Sequence, residues 1–120
     1  MKEVIAIIRP NKTKETKAAL AALGLPAFTA MRAAGRGTRL IPGNTHDAES
    51  VSAHSTTQGP RLFPKRLPRL IVSDDMVGSV VKAIMRVNQT GAPGDGKIFV
   101  LPVAEAWRIR TRERGQEALL

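Results

Sequence analysis

The chain has 120 residues, 42% of them apolar, with 19 Lys and Arg against 10 Asp and Glu for a formal charge of +9, and no cysteine. That length suits one compact domain over residues 1–120 and is too short for two. With no cysteine, no leader pattern and no apolar run near the ~20 residues of a membrane helix, the sequence excludes a disulfide scaffold and fits a soluble protein of the reducing cytoplasm. The charge fits a nucleic acid, an acidic partner or a phosphorylated ligand, but the aromatic residues are only Phe28, Phe63, Phe99 and Trp107. A single-strand binding module would interleave its basic residues with stacking aromatics.

Residues Val4 to Ile8 form an apolar run ended by Arg9-Pro10, which predicts a strand buried on both faces. Thr13 to Leu23 reads as an amphipathic helix with Thr16, Ala19, Leu20 and Leu23 on one face and Gly24 as its C-terminal cap. A second strand is expected over Ala27 to Ala34, broken by Gly35-Arg36-Gly37, where a glycine pair is free to take backbone angles closed to other residues. From about 37 to 62 the chain is rich in Ser, Thr, Gly, Asn and His without apolar periodicity, which predicts one exposed, mobile loop. A loop so long in so small a domain makes sense as the functional part. Strand character returns at Leu67 to Val72, and Pro68 inside the run predicts an unpaired or bulged position with the strand proper starting at Arg69. Asp74-Asp75 precede a second helix whose stripe is Val77, Val80, Val81, Ile84 and Val87, the two acids meeting the positive end of its dipole. A glycine-rich turn, Thr90 to Gly96, leads into a strand over Lys97 to Val103, and Trp107 to Arg112 reads as a short strand or an irregular tail within a C-terminal segment of about 105–120.

The order strand, helix, strand, loop, strand, helix, strand predicts an α+β fold of the ferredoxin-like βαββαβ type, with two helices on one face of an antiparallel four-stranded sheet. Because the strands carry apolar residues on both sides, the second sheet face also needs cover, and a homo-oligomer supplies it.

Three segments have the chemistry to hold an anion. Gly91, Gly94 and Gly96 can expose backbone N–H groups as a cradle with Lys97 at its end, or simply make a tight turn; the pattern is not the Walker type. Arg108 and Arg110, two apart, would project to one side of an extended segment and grip two phosphates, or belong to a solvated basic tail. Gly35-Arg36-Gly37 is a third contact. Asp74 and Asp75 read as helix-start charges and Asp95 as a turn residue, while His46 and His54, near Asp47 and Glu49, fall in the loop with nothing to fix metal geometry. No nucleophile has a neighbouring base, so no catalytic residue and no enzyme activity are expected.

Read together, Met1 to Pro10, Gly35-Arg36-Gly37, Thr90-Gly91 with Gly94 to Val100, and Arg108-Ile109-Arg110-Thr111 resemble the PII signal-transduction family of nitrogen regulatory proteins. Ile5 to Thr16, Pro26 to Thr29, Phe63 to Arg66, Val87 to Thr90 and Leu101 to Val103 are most similar to the nitrogen-fixation subtype that regulates nitrogenase. The resemblance implies a homotrimer, or a mixed trimer with a sister subunit, binding ATP or ADP in each inter-subunit cleft. It places Ile7, Gly35, Arg36, Gly37, Ile71, Gly94, Asp95, Gly96 and Lys97 on one subunit and Phe28, Thr29, Arg108 and Arg110 on its neighbour. Lys65 matches the family lysine that pairs with a carboxylate of 2-oxoglutarate beside magnesium. Arg39 stands where the family has a magnesium-ligating glutamine; an arginine cannot coordinate a cation, which points to direct contact with a phosphate or with 2-oxoglutarate. Family members carry an acid where this chain has Arg69, adding charge near the cleft, and without tyrosine the chain has no uridylylation site.

The expected function is a non-enzymatic sensor of nitrogen and carbon status that acts through its long loop on a target, nitrogenase foremost. A general regulator of glutamine synthetase or ammonium transport is the alternative within the family. A basic polyanion- or RNA-binding module, or a weak ATP hydrolase, is the alternative outside it.

Overall fold

The computed structural model of the protein describes residues 1–37 and 62–119. The loop expected at about 37–62, with Arg39, His46 and His54, lies outside the described residues apart from its two ends.

Among the described residues six regular elements follow one another: β1 (Lys2–Ile7), α1 (Thr13–Ala22), β2 (Thr29–Gly35), β3 (Phe63–Val72), α2 (Val77–Asn88) and β4 (Lys97–Pro102). Short 3-10 turns at Pro10–Lys12 and Asp74–Met76 lead into the two helices, and a third, Gly115–Leu119, closes the tail. The strands pair antiparallel in the order β2-β3-β1-β4, the arrangement of a ferredoxin-like sheet.

Register decides which residues form the core. Val4 stands opposite Leu70 and Val100, and Lys2 opposite Val72, so even-numbered positions of β1, β3 and β4 share the face that the helices cover. Val4, Ala6, Ile8, Leu70 and Val72 are buried there against Leu20 of α1 and Val80 and Ile84 of α2. Burying one such side chain contributes about 1.5–3 kcal/mol.

α1 starts without a side-chain cap; instead the Thr13 hydroxyl donates to Pro10 O at 2.7 Å and Pro10 opens the preceding turn. The helix ends where Gly24 takes φ +77°, the capping role expected of it. In α2 the buried row is Val80, Ala83, Ile84 and Asn88, with Val81 and Val87 only half-buried at its flanks. A polar residue ends the row because Asn88 Nδ2 donates to Thr16 Oγ1 and to Ile84 O, both at 2.9 Å, joining the helices through a buried hydrogen bond.

β3 is longer than its apolar run predicted and starts at Phe63, not Arg69. Pairing with β2 from Gly35↔Phe63 to Thr29↔Arg69 carries the chain through both Pro64 and Pro68. The cost of Pro68 falls on the other side. Arg66 and Ile8 exchange both backbone hydrogen bonds, which turns even-numbered N–H groups of β3 toward β1. The proline at 68 has none to give, and the β1 ladder lapses between Ile5↔Arg69 and the Ile8↔Arg66 bridge.

Gly35 and Gly37 do not break β2 in the way expected. Gly35 is a regular strand residue and neither glycine has positive φ. Glu3 and Arg69, and the apolar Ile5, Ile7, Leu67 and Ile71, line the sheet face away from the helices and are all half-buried. Met31, Phe99 and Leu101 on the same face are 43%, 48% and 39% exposed. The second apolar face inferred from the strand sequences is therefore present.

Candidate functional site

Most of the described residues singled out in the sequence gather in two places at opposite ends of this open sheet face, with Arg108 and Arg110 apart in the tail. At one end the 90–97 loop returns from α2 to β4. Gly91, Gly94 and Gly96 all have positive φ, at +83°, +99° and +104°, which explains the glycine spacing. At Gly96 a Cβ would lie 1.7 Å from Ile7 O, so the loop passes directly over the end of β1.

Asp95 closes the loop. Its carboxylate accepts from Thr90 N at 2.8 Å, Gly91 N at 2.9 Å and Thr90 Oγ1 at 2.5 Å, and Arg9 Nη1 donates to it at 2.7 Å. Burial works against the charge, yet the hydrogen bonds from Thr90, Arg9 and Gly91 outweigh it and hold the carboxyl well below the usual carboxylate range. The loop's first amides are thereby consumed internally: Thr90 and Gly91 by Asp95, Ala92 by Thr90 Oγ1 at 3.2 Å. The stretch left to present N–H groups to an anion is Gly94 to Gly96, narrower than the whole loop.

Lys97 faces Ile7 across the β1–β4 ladder, so both point to the open sheet face at this end. Lys65 Nζ reaches Gly94 O at 3.4 Å from β3, joining the expected effector residue to the loop. Gly35 pairs with Phe63 at the same end of the β2–β3 hairpin, with Arg36 and Gly37 just beyond it and exposed. Ile7, Asp95, Gly96 and Lys97 also border a cleft of about 210 Å3 under the C-terminal turn of α2.

The second place is a cavity of about 640 Å3 that Phe28, Thr29, Ile71, Glu3, Arg69 and Trp107 help to line. Ile71 belongs here and not with the glycine loop, with which the resemblance grouped it. It pairs with Glu3, four positions along β1 from Ile7, or about 13 Å at ~3.3 Å per residue. Arg69 adds no uncompensated charge: its Nε and Nη2 donate to Glu3 Oε1 at 2.7 and 2.5 Å.

Of the two readings of Arg108 and Arg110, a pair on an extended segment or part of a basic tail, the extended segment does not form. Trp107 bridges to Arg114, Arg108 N donates to Glu113 O at 2.8 Å, and Arg112, with φ +64°, donates from N to Arg108 O at 2.8 Å. The segment is thus a tight turn, not a strand, and the two side chains are not aligned by it. The Arg108 guanidinium pairs with Glu113 and donates to Glu117 O at 2.8 Å, whereas Arg110 is exposed.

Sequence reasoning missed Arg9, Glu3 and Trp107. Arg9 looked only like the end of an apolar run, and nothing in its neighbours distinguishes it from the chain's other basic residues. Its partners are 84 and 86 positions away, so only folding reveals them. Among the described residues no group of three or more His, Asp or Glu is placed to hold a metal ion.

A βαββαβ fold with a glycine loop at one end of an open sheet face, and a separate lined cavity at the other, defines a ferredoxin-like α+β protein with two candidate sites on one sheet face. Comparison with known proteins gives the family. The family model described as nitrogen regulatory protein P-II matches residues 1–113. A nitrogen fixation nifHD region GlnB-like protein 2 from Methanothermobacter marburgensis is 50% identical over 99% of this chain and 100% of its own. The protein of that description from Methanobacterium ivanovii is 44% identical over the full length of both, and a nitrogen regulatory protein P-II from Rhodospirillum rubrum is 40% identical over 99% and 100%. Among solved structures, Arabidopsis thaliana PII bound to citrate superposes with a TM-score of 0.76 at 30% identity, covering 98% of this chain and 88% of that one. The chain belongs to the nitrogen regulatory protein P-II family, whose members are regulators and not enzymes, and it is a nitrogen regulatory signal protein.

Proposed function

We propose that this protein binds ATP or ADP in clefts between neighbouring copies of a homotrimer, and that the bound nucleotide controls a nitrogen-metabolism target, nitrogenase foremost, through the 37–62 loop. The observation that carries this reading is the closed 90–97 loop, with Gly94 to Gly96 beside Lys97 and Lys65 at one end of the open sheet face. Anions bind well where several backbone amides and a lysine converge.

The two clusters at opposite ends of that face make an inter-subunit cleft reasonable. One copy would contribute Ile7, Gly35 to Gly37 and the loop; its neighbour would contribute Phe28, Thr29, Ile71, Arg108 and Arg110. In a trimer Arg108 would exchange Glu113 for phosphate or hold both. The uncovered apolar face of Met31, Phe99 and Leu101 supports self-association. Nitrogenase is favoured as target because several relatives are described by the nifHD region. The carboxylates of 2-oxoglutarate would meet Lys65 and Arg39, neither of which can ligate magnesium, and a mixed trimer with a sister subunit fits the same surfaces. A cytoplasmic location follows from such ligands and targets, and no helix among the described residues is long and apolar enough to cross a membrane.

Calorimetric titration with ATP and magnesium, repeated at saturating 2-oxoglutarate, tests the reading, because coupled ligands must change each other's affinity reciprocally. Trp107, the chain's one tryptophan, helps to line the Phe28 and Thr29 cavity, so its emission reports filling of that half of the cleft. ATP is expected to bind and to change the emission, and Lys97→Ala to weaken it by about tenfold or more. Absence of ATP binding by the unaltered protein would overturn the reading.

A further inference from the structure

We propose that Arg9 is a positioning residue for the anion cradle: it holds the 90–97 loop in the shape that presents Gly94 to Lys97. This rests on the nucleotide-binding reading and assigns the cradle's support to a residue outside it.

Arg9 is only 8% exposed, which for a guanidinium is costly unless its donors are met. Two of them are met by one short loop: Nη1 donates to Asp95 Oδ1 at 2.7 Å and Nη2 to Pro93 O at 3.0 Å. The contacts straddle Gly94, so the fork grips both sides of the residue whose N–H begins the open stretch. Through Asp95 the hold extends to Thr90 and Gly91, whose amides the same carboxylate accepts.

The base of the fork is itself fixed. Ile8, the preceding residue, exchanges both backbone hydrogen bonds with Arg66 of β3, at 2.9 and 3.0 Å, and Pro10 restricts the backbone on the other side. The loop, by contrast, has three glycines with positive φ and much conformational freedom to lose when it orders. A rigid fork on a fixed strand end removes that freedom before any ligand arrives, which is how preorganisation raises affinity. Arg9 does not neutralise the ligand, because its own charge is opposed by Asp95; that task remains with Lys97 and, from the neighbouring copy, Arg108 and Arg110. The consequence is specific: loss of Arg9 weakens the hold on phosphates and leaves the rest of the nucleotide's contacts alone.

The test compares ATP and AMP affinities, by calorimetry, for the unaltered protein, Arg9→Met and Arg9→Lys, with circular dichroism and sedimentation to confirm fold and assembly. Amide hydrogen exchange of the unliganded proteins is measured alongside. In Arg9→Met, ATP affinity is expected to fall roughly ten- to a hundredfold, the equivalent of a lost hydrogen bond to a charged group, while AMP affinity stays within about twofold. Thr90 and Gly91 amides should exchange faster and those of α2 unchanged. Arg9→Lys, able to reach one of the two acceptors, should recover part of the ATP affinity. Equal loss of ATP and AMP affinity, or ATP affinity unchanged in Arg9→Met, overturns the proposal while the nucleotide reading stands. Failure of the unaltered protein to bind ATP overturns both.

Discussion

At the scale of single residues, two glycines of the expected site obey different constraints. Gly96 has φ +104° and no room for a Cβ, which would meet Ile7 O at 1.7 Å; Gly37 has open space and no positive φ. Gly96→Ala is therefore expected to lose at least ~2 kcal/mol in urea denaturation, and Gly37→Ala to stay within about 0.5 kcal/mol. Asp95 gives a pH prediction. Its folded-state pKa lies below its unfolded value, so the unfolded chain binds the proton more readily in acid. Its contribution is fully present above the ordinary carboxyl range and is lost as pH falls from about 4 downward. Asp95→Asn should flatten the acid limb of stability measured between about pH 2 and 5, whereas an unchanged limb would mean the carboxylate's hydrogen bonds do not favour its charge. Most of this was illegible in the sequence. The glycine spacing marked the loop, but which glycine lies against β1 depends on the crossing of two segments about 90 residues apart.

At the scale of elements, periodicity located both helices and most strands, and missed where tertiary pairing outweighed local preference. Two prolines argue against a strand at 63–68, yet β2 pairs along all of it and only the β1 side loses hydrogen bonds. The tail settles the two readings left open for Trp107 to Arg112 in favour of the irregular one: its alternation is strand-like, but Arg108 finds Glu113 and the backbone closes on itself. In α2, Ile84 is 1% exposed and Met85 is 52% exposed, though both are large apolar residues. Ile84→Ala should cost about 2–5 kcal/mol by chemical denaturation and Met85→Ala less than ~0.5 kcal/mol.

At the scale of the whole molecule, the open sheet face is the main unfinished surface. One chain leaves Met31, Phe99 and Leu101 partly exposed on it. A homotrimer that covers this face predicts that the unaltered protein sediments as a trimer and that Phe99→Asp shifts it toward monomer, since burying an unpaired carboxylate is strongly unfavourable. A Phe99→Asp trimer as stable as the unaltered one would move the interface elsewhere. If the proposed clefts take residues from two copies, nucleotide binding should fall with the trimer.

The sequence by itself determined the order and type of the elements, the face of each helix that is buried, and the glycine loop with its lysine. These follow from periodicity and backbone freedom, which are local. Only the tertiary structure decided that Ile71 lies with Phe28 and Thr29 and that Glu3 neutralises Arg69. It also decided that Arg108 folds onto its own tail and that Arg9 holds the loop from within. Each of those depends on strand register or on a partner distant in sequence or across a turn, and charge pairing of that kind leaves no trace in local pattern.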